Sequence, residues 1–252
     1  MTRTEVGPGK LYPKCLTLSR PRLDRIYIIN IIIDNNESAE GRVRPKDAIY
    51  AAVKRRIVLN ELRPGVALTE LGLAADLGCS QGPVREALMR LQEDGLVLRK
   101  GHRGTVVTPL NPDEAEEILA LRRRIEIRAA PRAARAVNAD ALERLDRLRA
   151  RMAEAAEEGD EYRLIELDTE FHLEIFRLAG LRALEQILVR CMLHSHRQKL
   201  WEPRHRRPLA ETAARHDVLY DLLAARDGAG LAEALGGHID TIVDVDALRS
   251  AS

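Results

Sequence analysis

The stretch Leu68–Thr108, LTELGLAADLGCSQGPVREALMRLQEDGLVLRKGHRGTVVT, decides the fold. Thr69 is placed to cap a short helix whose apolar residues Leu71, Ala74, Ala75 and Leu77 fall on one stripe, and Gly78 supplies the left-handed residue that stops it. After Cys79, Ser80 is a good N-cap, Pro83 sits in a first turn where a missing N–H costs little, and Val84, Ala87, Leu88 and Leu91 repeat at helical spacing until Gly95. Two short helices joined by a turn of about three residues form the geometry that lays a recognition helix in a major groove. Leu96–Arg99 and Thr105–Thr108 read as strands around the Gly101–Gly104 turn, a hairpin tipped with His102 and Arg103. The whole reads as a winged helix-turn-helix. The plain alternative, a helical hairpin followed by a β-hairpin, does not account for Gln81 and Arg85 one turn apart at an exposed helix start, nor for the basic hairpin tip.

Upstream, Ile49, Tyr50, Val53 and Ile57 mark one face of a helix over 46–59, closed by Arg63-Pro64-Gly65. Lys54, Arg55 and Arg56 read as its solvated side, with a phosphate contact by one of them as the alternative. The separated motifs ELRPGVALTE, LAADLGCSQG and PVREALMRLQEDGLV, in this order, resemble the DNA-binding domain of the GntR superfamily of bacterial transcription regulators over roughly residues 45–108. The resemblance implies DNA contact by Ser80 on phosphate, by Gln81 and Arg85 on bases or phosphates, and by His102, Arg103 and Gly104 near the minor groove. Gln81 stands where many members carry Arg, and Leu71 replaces a basic residue that some use on DNA. Gln pairs with the N6 and N7 edge of adenine, whereas Arg prefers guanine.

Charge divides the chain at the same boundary. Residues 1–110 hold 18 Lys and Arg against 12 Asp and Glu, whereas residues 111–252 hold 22 against 27. A basic first part suits phosphate, and an acidic second part is poorly suited to lie on DNA. At 252 residues there is room for two domains, each with its own core. Cys15, Cys79 and Cys191 are too few and scattered for a disulfide framework or a cysteine zinc site. With no apolar run near the roughly 18 residues of a membrane span and no signal-peptide layout, a cytoplasmic protein without a membrane partner is expected. Residues 1–44 fit poorly: Ile26–Ile33 has strand propensity but no partner strand, and the segment reads as a poorly ordered extension, with an added edge strand as the alternative.

Residues 109–112 form a hinge, after which Asn111, Pro112 and the acidic run Asp113, Glu114, Glu116 and Glu117 open a helix. An all-helical domain follows over 113–247, with a short tail at 248–252. Its predicted segments are 112–137 with a kink at Pro131, 140–158, 160–179, 181–202, 208–227 and 229–247. The expected fold is thus mainly α: a winged helix-turn-helix of three helices and a β-hairpin, then a bundle of six or seven helices.

Asp168 and His172 stand at i and i+4 on one helical face, a chelating spacing. His216 lies 11 residues before Asp227 and His238 lies 8 residues after Gly230. In an antiparallel hairpin both imidazoles would sit about 12–17 Å from the turn, at one level. One carboxylate and three imidazoles suit a divalent transition metal, Zn, Ni, Mn or Fe, while spacing alone leaves ordinary polar residues as the alternative. Residues 112–247 also resemble the FCD effector domain of the FadR-type branch. The resemblance implies Asp168, His172, His216 and His238 as metal ligands, and aligns Arg122 with the Arg of the family's R-x-x-[LI]-E segment, where a guanidinium would meet a small carboxylate. His194 and His196 are further candidates to line that effector pocket, with a solvated face as the alternative.

The resemblance further implies a homodimeric transcription regulator, a repressor in sign, that binds palindromic double-stranded operator DNA and responds to a small organic acid. It implies no enzyme. Two other readings compete: a metalloenzyme with an open metal position, and a DNA-binding protein whose metal only braces helices.

Overall fold

The computed structural model describes residues 44–101, 104–201 and 207–241. The expected N-terminal extension up to residue 43, the wing-tip residues His102 and Arg103, and the tail lie outside the described residues.

Helix α1 (Pro45–Val58) begins with proline at the position where no N–H is needed. Strand β1 (Ala67–Leu68) leads into α2 (Glu70–Leu77), capped by the Thr69 hydroxyl, which accepts from Gly72 N at 3.0 Å. Gly78, at φ 66°, ends it in the left-handed region. Helix α3 (Gln81–Glu93) follows, and Gly95 at φ 78° turns the chain into β2 (Val97–Arg99) and β3 (Thr105–Val107). The sheet order is β1-β3-β2, antiparallel throughout, with Ala67 opposite Val106 and Leu98 opposite Val106 from the other side. The expected hairpin therefore gains a third strand. Ile49, Val53 and Ile57 of α1, Leu73 and Leu77 of α2, and Val84, Leu88 and Leu91 of α3 form the core with Leu96 and Val107.

Helix α4 (Pro112–Ala136) starts with a reciprocal capping box: Asn111 Oδ1 accepts from Glu114 N at 2.8 Å, and Glu114 Oε2 accepts from Asn111 N at 3.2 Å. It continues through Pro131 without a break. Then come α5 (Ala139–Glu157), α6 (Glu161–Leu178), a 3-10 turn (Arg182–Leu184), α7 (Glu185–Trp201), α8 (Leu209–Ala214), α9 (Asp217–Ala224) and α10 (Gly228–Asp240). The segment expected as one helix over 208–227 is two, interrupted at Arg215 and His216. Phe171, Leu145, Met152, Leu164, Leu219, Leu223, Leu231 and Leu235 fill the core of this bundle. Full burial of one such side chain stabilises by roughly 1.5–3 kcal/mol. Helix α4 packs on α10, α7 and α6, so its inward face borders the polar residues described next. No helix of the described residues is long and apolar enough to cross a membrane.

Candidate metal centre and nucleic-acid interface

Four buried side chains from three places meet inside the bundle. Asp168 and His172 project one turn apart from α6, His216 stands at the break before α9, and His238 comes from α10. One ligand atom from each lies within 4.8 Å of the others. The break at Arg215–His216 puts the His216 ring inside, with 0% exposure, next to Phe171 at 5.1 Å between ring centroids.

The outer hydrogen bonds set the chemistry of the inner atoms. His172 Nδ1 lies 2.5 Å from Glu126 Oε2, and His216 Nδ1 lies 3.1 Å from the Ala213 carbonyl. Both partners only accept, so each neutral ring carries its proton on Nδ1 and turns a bare Nε2 inward. His172 Nε2 is 3.3 Å from His238 Nε2. His216 Nε2 is 3.1 Å from Asp168 Oδ1 but makes no hydrogen bond. A lone pair facing a carboxylate oxygen in a buried site calls for a cation between them, and the nitrogen and oxygen donors suit a divalent transition metal. Burial pushes His238 well below the usual histidine range, toward the neutral form that ligates.

Arg122 is fully buried. Its Nε donates to Glu126 Oε1 at 2.7 Å, while Nη1 and Nη2 have no hydrogen-bond partner among the described residues. One carboxylate, Glu126, thus joins this guanidinium to His172. Burial opposes the charge on Glu126, yet His172 and Arg122 bring its pKa down to about 2. His196 of α7 is buried with Nε2 3.1 Å from Asp168 Oδ2, and neither ring nitrogen is hydrogen-bonded. Unpaired buried donors of this kind are rare and costly. A small cavity beside Asp168 and His196 is lined also by Lys199 and Thr212.

His194 is not brought to this cluster. Two residues along a helix turn a side chain to nearly the opposite face, and His194 points toward the winged domain. Its Nδ1 accepts from Arg197 Nη1 at 3.2 Å, and its Nε2 lies 3.3 Å from where a Cβ on Gly95 would stand. It lines a separate cleft of about 500 Å³ with Thr108, Pro109, Leu110, Glu117 and Ile118. Arg197, also fully buried, donates from Nη2 to the Thr108 carbonyl, and Arg190 donates to the Glu93 carbonyl. Tyr162 and Ile165 of α6 and Leu193 and Leu200 of α7 belong to the same apolar cluster as the winged domain. The two helices that carry Asp168, His172 and His196 therefore also seat the winged domain.

Ser80, Gln81 and Arg85 are exposed at the start of α3, and Gly104 is exposed at the wing. The Ser80 hydroxyl makes no capping hydrogen bond, which leaves it open to other acceptors and donors. Arg85 is paired with both carboxylate oxygens of Glu70. His102 and Arg103 lie outside the described residues.

Sequence reasoning missed Glu126 and Arg197. Glu126 has a signal, an acid four residues after Arg122 within the buried stripe of α4. Arg197 interrupts an apolar run, Leu193 and Leu200, at helical spacing.

Comparison with known proteins gives two matches along the chain. Residues 45–107 match bacterial regulatory proteins of the gntR family, and residues 117–241 match the FCD domain. A protein of Paenarthrobacter nicotinovorans named "Probable D-xylose utilization operon transcriptional repressor" is 32% identical over 73% of this chain and 80% of its own length. The transcriptional repressor RspR of Escherichia coli is 26% identical over 77% of this chain and 85% of that protein. A regulator of Agrobacterium vitis is 40% identical, but over 38% of this chain and only 55% of its own length. Among solved structures, Escherichia coli McbR/YncC shares the fold at a TM-score of 0.68 and 23% identity, over 83% of this chain and 99% of that one.

Proposed function

The chain belongs to the GntR family of bacterial regulatory proteins, with an FCD domain behind its winged helix-turn-helix, and from that premise we propose that it is a DNA-binding transcription regulator switched by a small carboxylate. Helix α3 enters the major groove of a palindromic operator through Ser80, Gln81 and Arg85, with Gly104 and the wing beside it. Two copies of the chain bind as a homodimer. The relatives named as repressors support repression as the sign.

Asp168, His172, His216 and His238 hold a divalent transition metal, which when bound supplies a Lewis-acid position for an effector oxygen. Arg122 provides the second anchor: its unpaired Nη1 and Nη2 match the bidentate geometry of a carboxylate. His196 stands beside Asp168. The observation that carries the proposal is that α6 and α7 hold both this cluster and the seat of the winged domain. A carboxylate that binds one seating better than the other shifts the balance between them, and one that binds both equally shifts nothing.

The test uses the full chain. Metal content is measured by elemental analysis in wild type and in Asp168→Ala/His216→Ala, and both are melted across a panel of carboxylic acids. A duplex is selected by the wild-type protein from a random-sequence pool, and its affinity is then measured with and without the stabilising acid. Near-stoichiometric metal lost in the variant, an acid that raises only the wild-type melting temperature, and an acid-dependent duplex affinity support the proposal. Metal with no response to any acid reduces the cluster to a brace, and no selected duplex overturns the DNA reading.

A further inference from the structure

We infer that Glu70 is a specificity-determining residue of the DNA-binding surface, clamping Arg85 so that one chosen edge of its guanidinium is offered to a base. The inference rests on the proposal that α3 enters DNA. Glu70 is the first residue of α2 and Arg85 stands one turn into α3. Arg85 Nε lies 3.1 Å from both Glu70 carboxylate oxygens, and Nη2 lies 2.8 Å from Oε2. Every hydrogen bond that Arg85 makes among the described residues goes to Glu70, although the Arg85 side chain remains 61% exposed. The side edge of the guanidinium is therefore taken, and Nη1 with the outer N–H of Nη2 is left. Those two donors lie at the end of the side chain, parallel and in one plane, the arrangement that meets guanine O6 and N7 together.

The position of Glu70 argues against an incidental surface pair. It stands next to Arg85 and within the field of Arg99, on the face proposed to meet phosphate. A carboxylate there weakens attraction to DNA of any sequence. The Arg85 hydrogen bonds hold its pKa below the ordinary value, so the charge stays on at neutral pH. What it gives in return is orientation. An unclamped arginine on an exposed helix start reaches bases and phosphates through either edge, whereas the clamped one discriminates. Leu71 and Gln81, neutral where a basic residue could stand, leave Arg85 as the cation of this helix start.

The experiment measures, at one salt concentration, the dissociation constants of the full chain for the duplex selected by wild type and for a scrambled duplex of the same length. Wild type, Glu70→Gln, Arg85→Ala and the double variant are compared, with thermal melts to show that each is folded. The ratio of the two constants should fall about tenfold in Glu70→Gln, with scrambled-duplex affinity equal or higher. The loss of ratio caused by Glu70→Gln should vanish when Arg85 is already Ala. An unchanged ratio in Glu70→Gln, with a collapsed ratio in Arg85→Ala, overturns the clamp and leaves the DNA reading standing. An unchanged ratio in Arg85→Ala overturns both.

Discussion

Arg197 on α7 donates to the carbonyl of Thr108, 2.9 Å away and 89 residues distant in sequence, and so ties the exit of the wing to the helix that carries His196. Arg197 is buried, and desolvation lowers its pKa to about 10, which still leaves it charged at neutral pH. Replacement by Gln should cost about 1.5–3 kcal/mol, the worth of a hydrogen bond from a charged donor, read as a shift in the urea midpoint. The same variant should retain metal while its duplex affinity no longer follows the acid, because the seat of the winged domain is loosened.

Glu126 should matter to metal binding although it is not a ligand. It fixes the His172 proton on Nδ1, and loss of such an outer partner typically costs 10-fold to 100-fold in affinity, on the order of magnitude seen for carboxylate–histidine–metal arrangements. Competition with a chromophoric chelator should show that weakening in Glu126→Ala, with all four ligands still present.

Removing the proposed metal should destabilise the wild-type fold. A ligand at about 100 times its dissociation constant stabilises the native state by about 2.7 kcal/mol. Calorimetry before and after chelation should show that order of loss, and Asp168→Ala, already without a ligand, should show almost none.

His194 gives a pH signature at the junction. Burial, then the charges of Arg197 and Arg190, push its pKa down to about 4. Below its ordinary value of 6.5 the unfolded chain takes up a proton that the folded chain refuses, so stability falls as pH drops from 6.5 toward 4. The contribution reaches at most about 3 kcal/mol at the low end. In His194→Gln, the urea midpoint should fall less steeply between pH 7 and 5 than in wild type.

Gly228 offers a purely steric test. A Cβ there would lie 2.7 Å from the Pro131 Cα, a backbone atom that cannot swing aside. Gly228→Ala should destabilise by about 1–3 kcal/mol through overpacking of α10 on α4, visible as a lower melting temperature with the metal content unchanged.

The residues that cap and stop helices were the most legible. Thr69, Gly78, Gly95 and Asn111 mark their boundaries because capping is local chemistry, and each stands at such a boundary. Ala67–Leu68 escaped notice because two residues carry no alternation, and their strand exists only through pairing with β3. The interruption at His216 was equally hidden. Ala213, Ala214 and Arg215 are good helix formers, so the break answers to the tertiary placement of an imidazole rather than to propensity. Candidate ligands were readable from their spacing and resemblance, and the structure brings those four side chains together. The different directions of His194 and His196 follow from helical geometry, but which face meets which domain required the packing of α7.

Between the last residue of β3 and the first of α4 lie only four residues, 108–111. Fully stretched, they span at most about 14 Å. Because β3 is the middle strand of its sheet, a pull along this tether is borne by hydrogen bonds on both sides rather than by a peeling edge. The winged domain is on a short leash attached to the middle strand of its sheet, so the switching proposed above takes the form of rotation rather than travel.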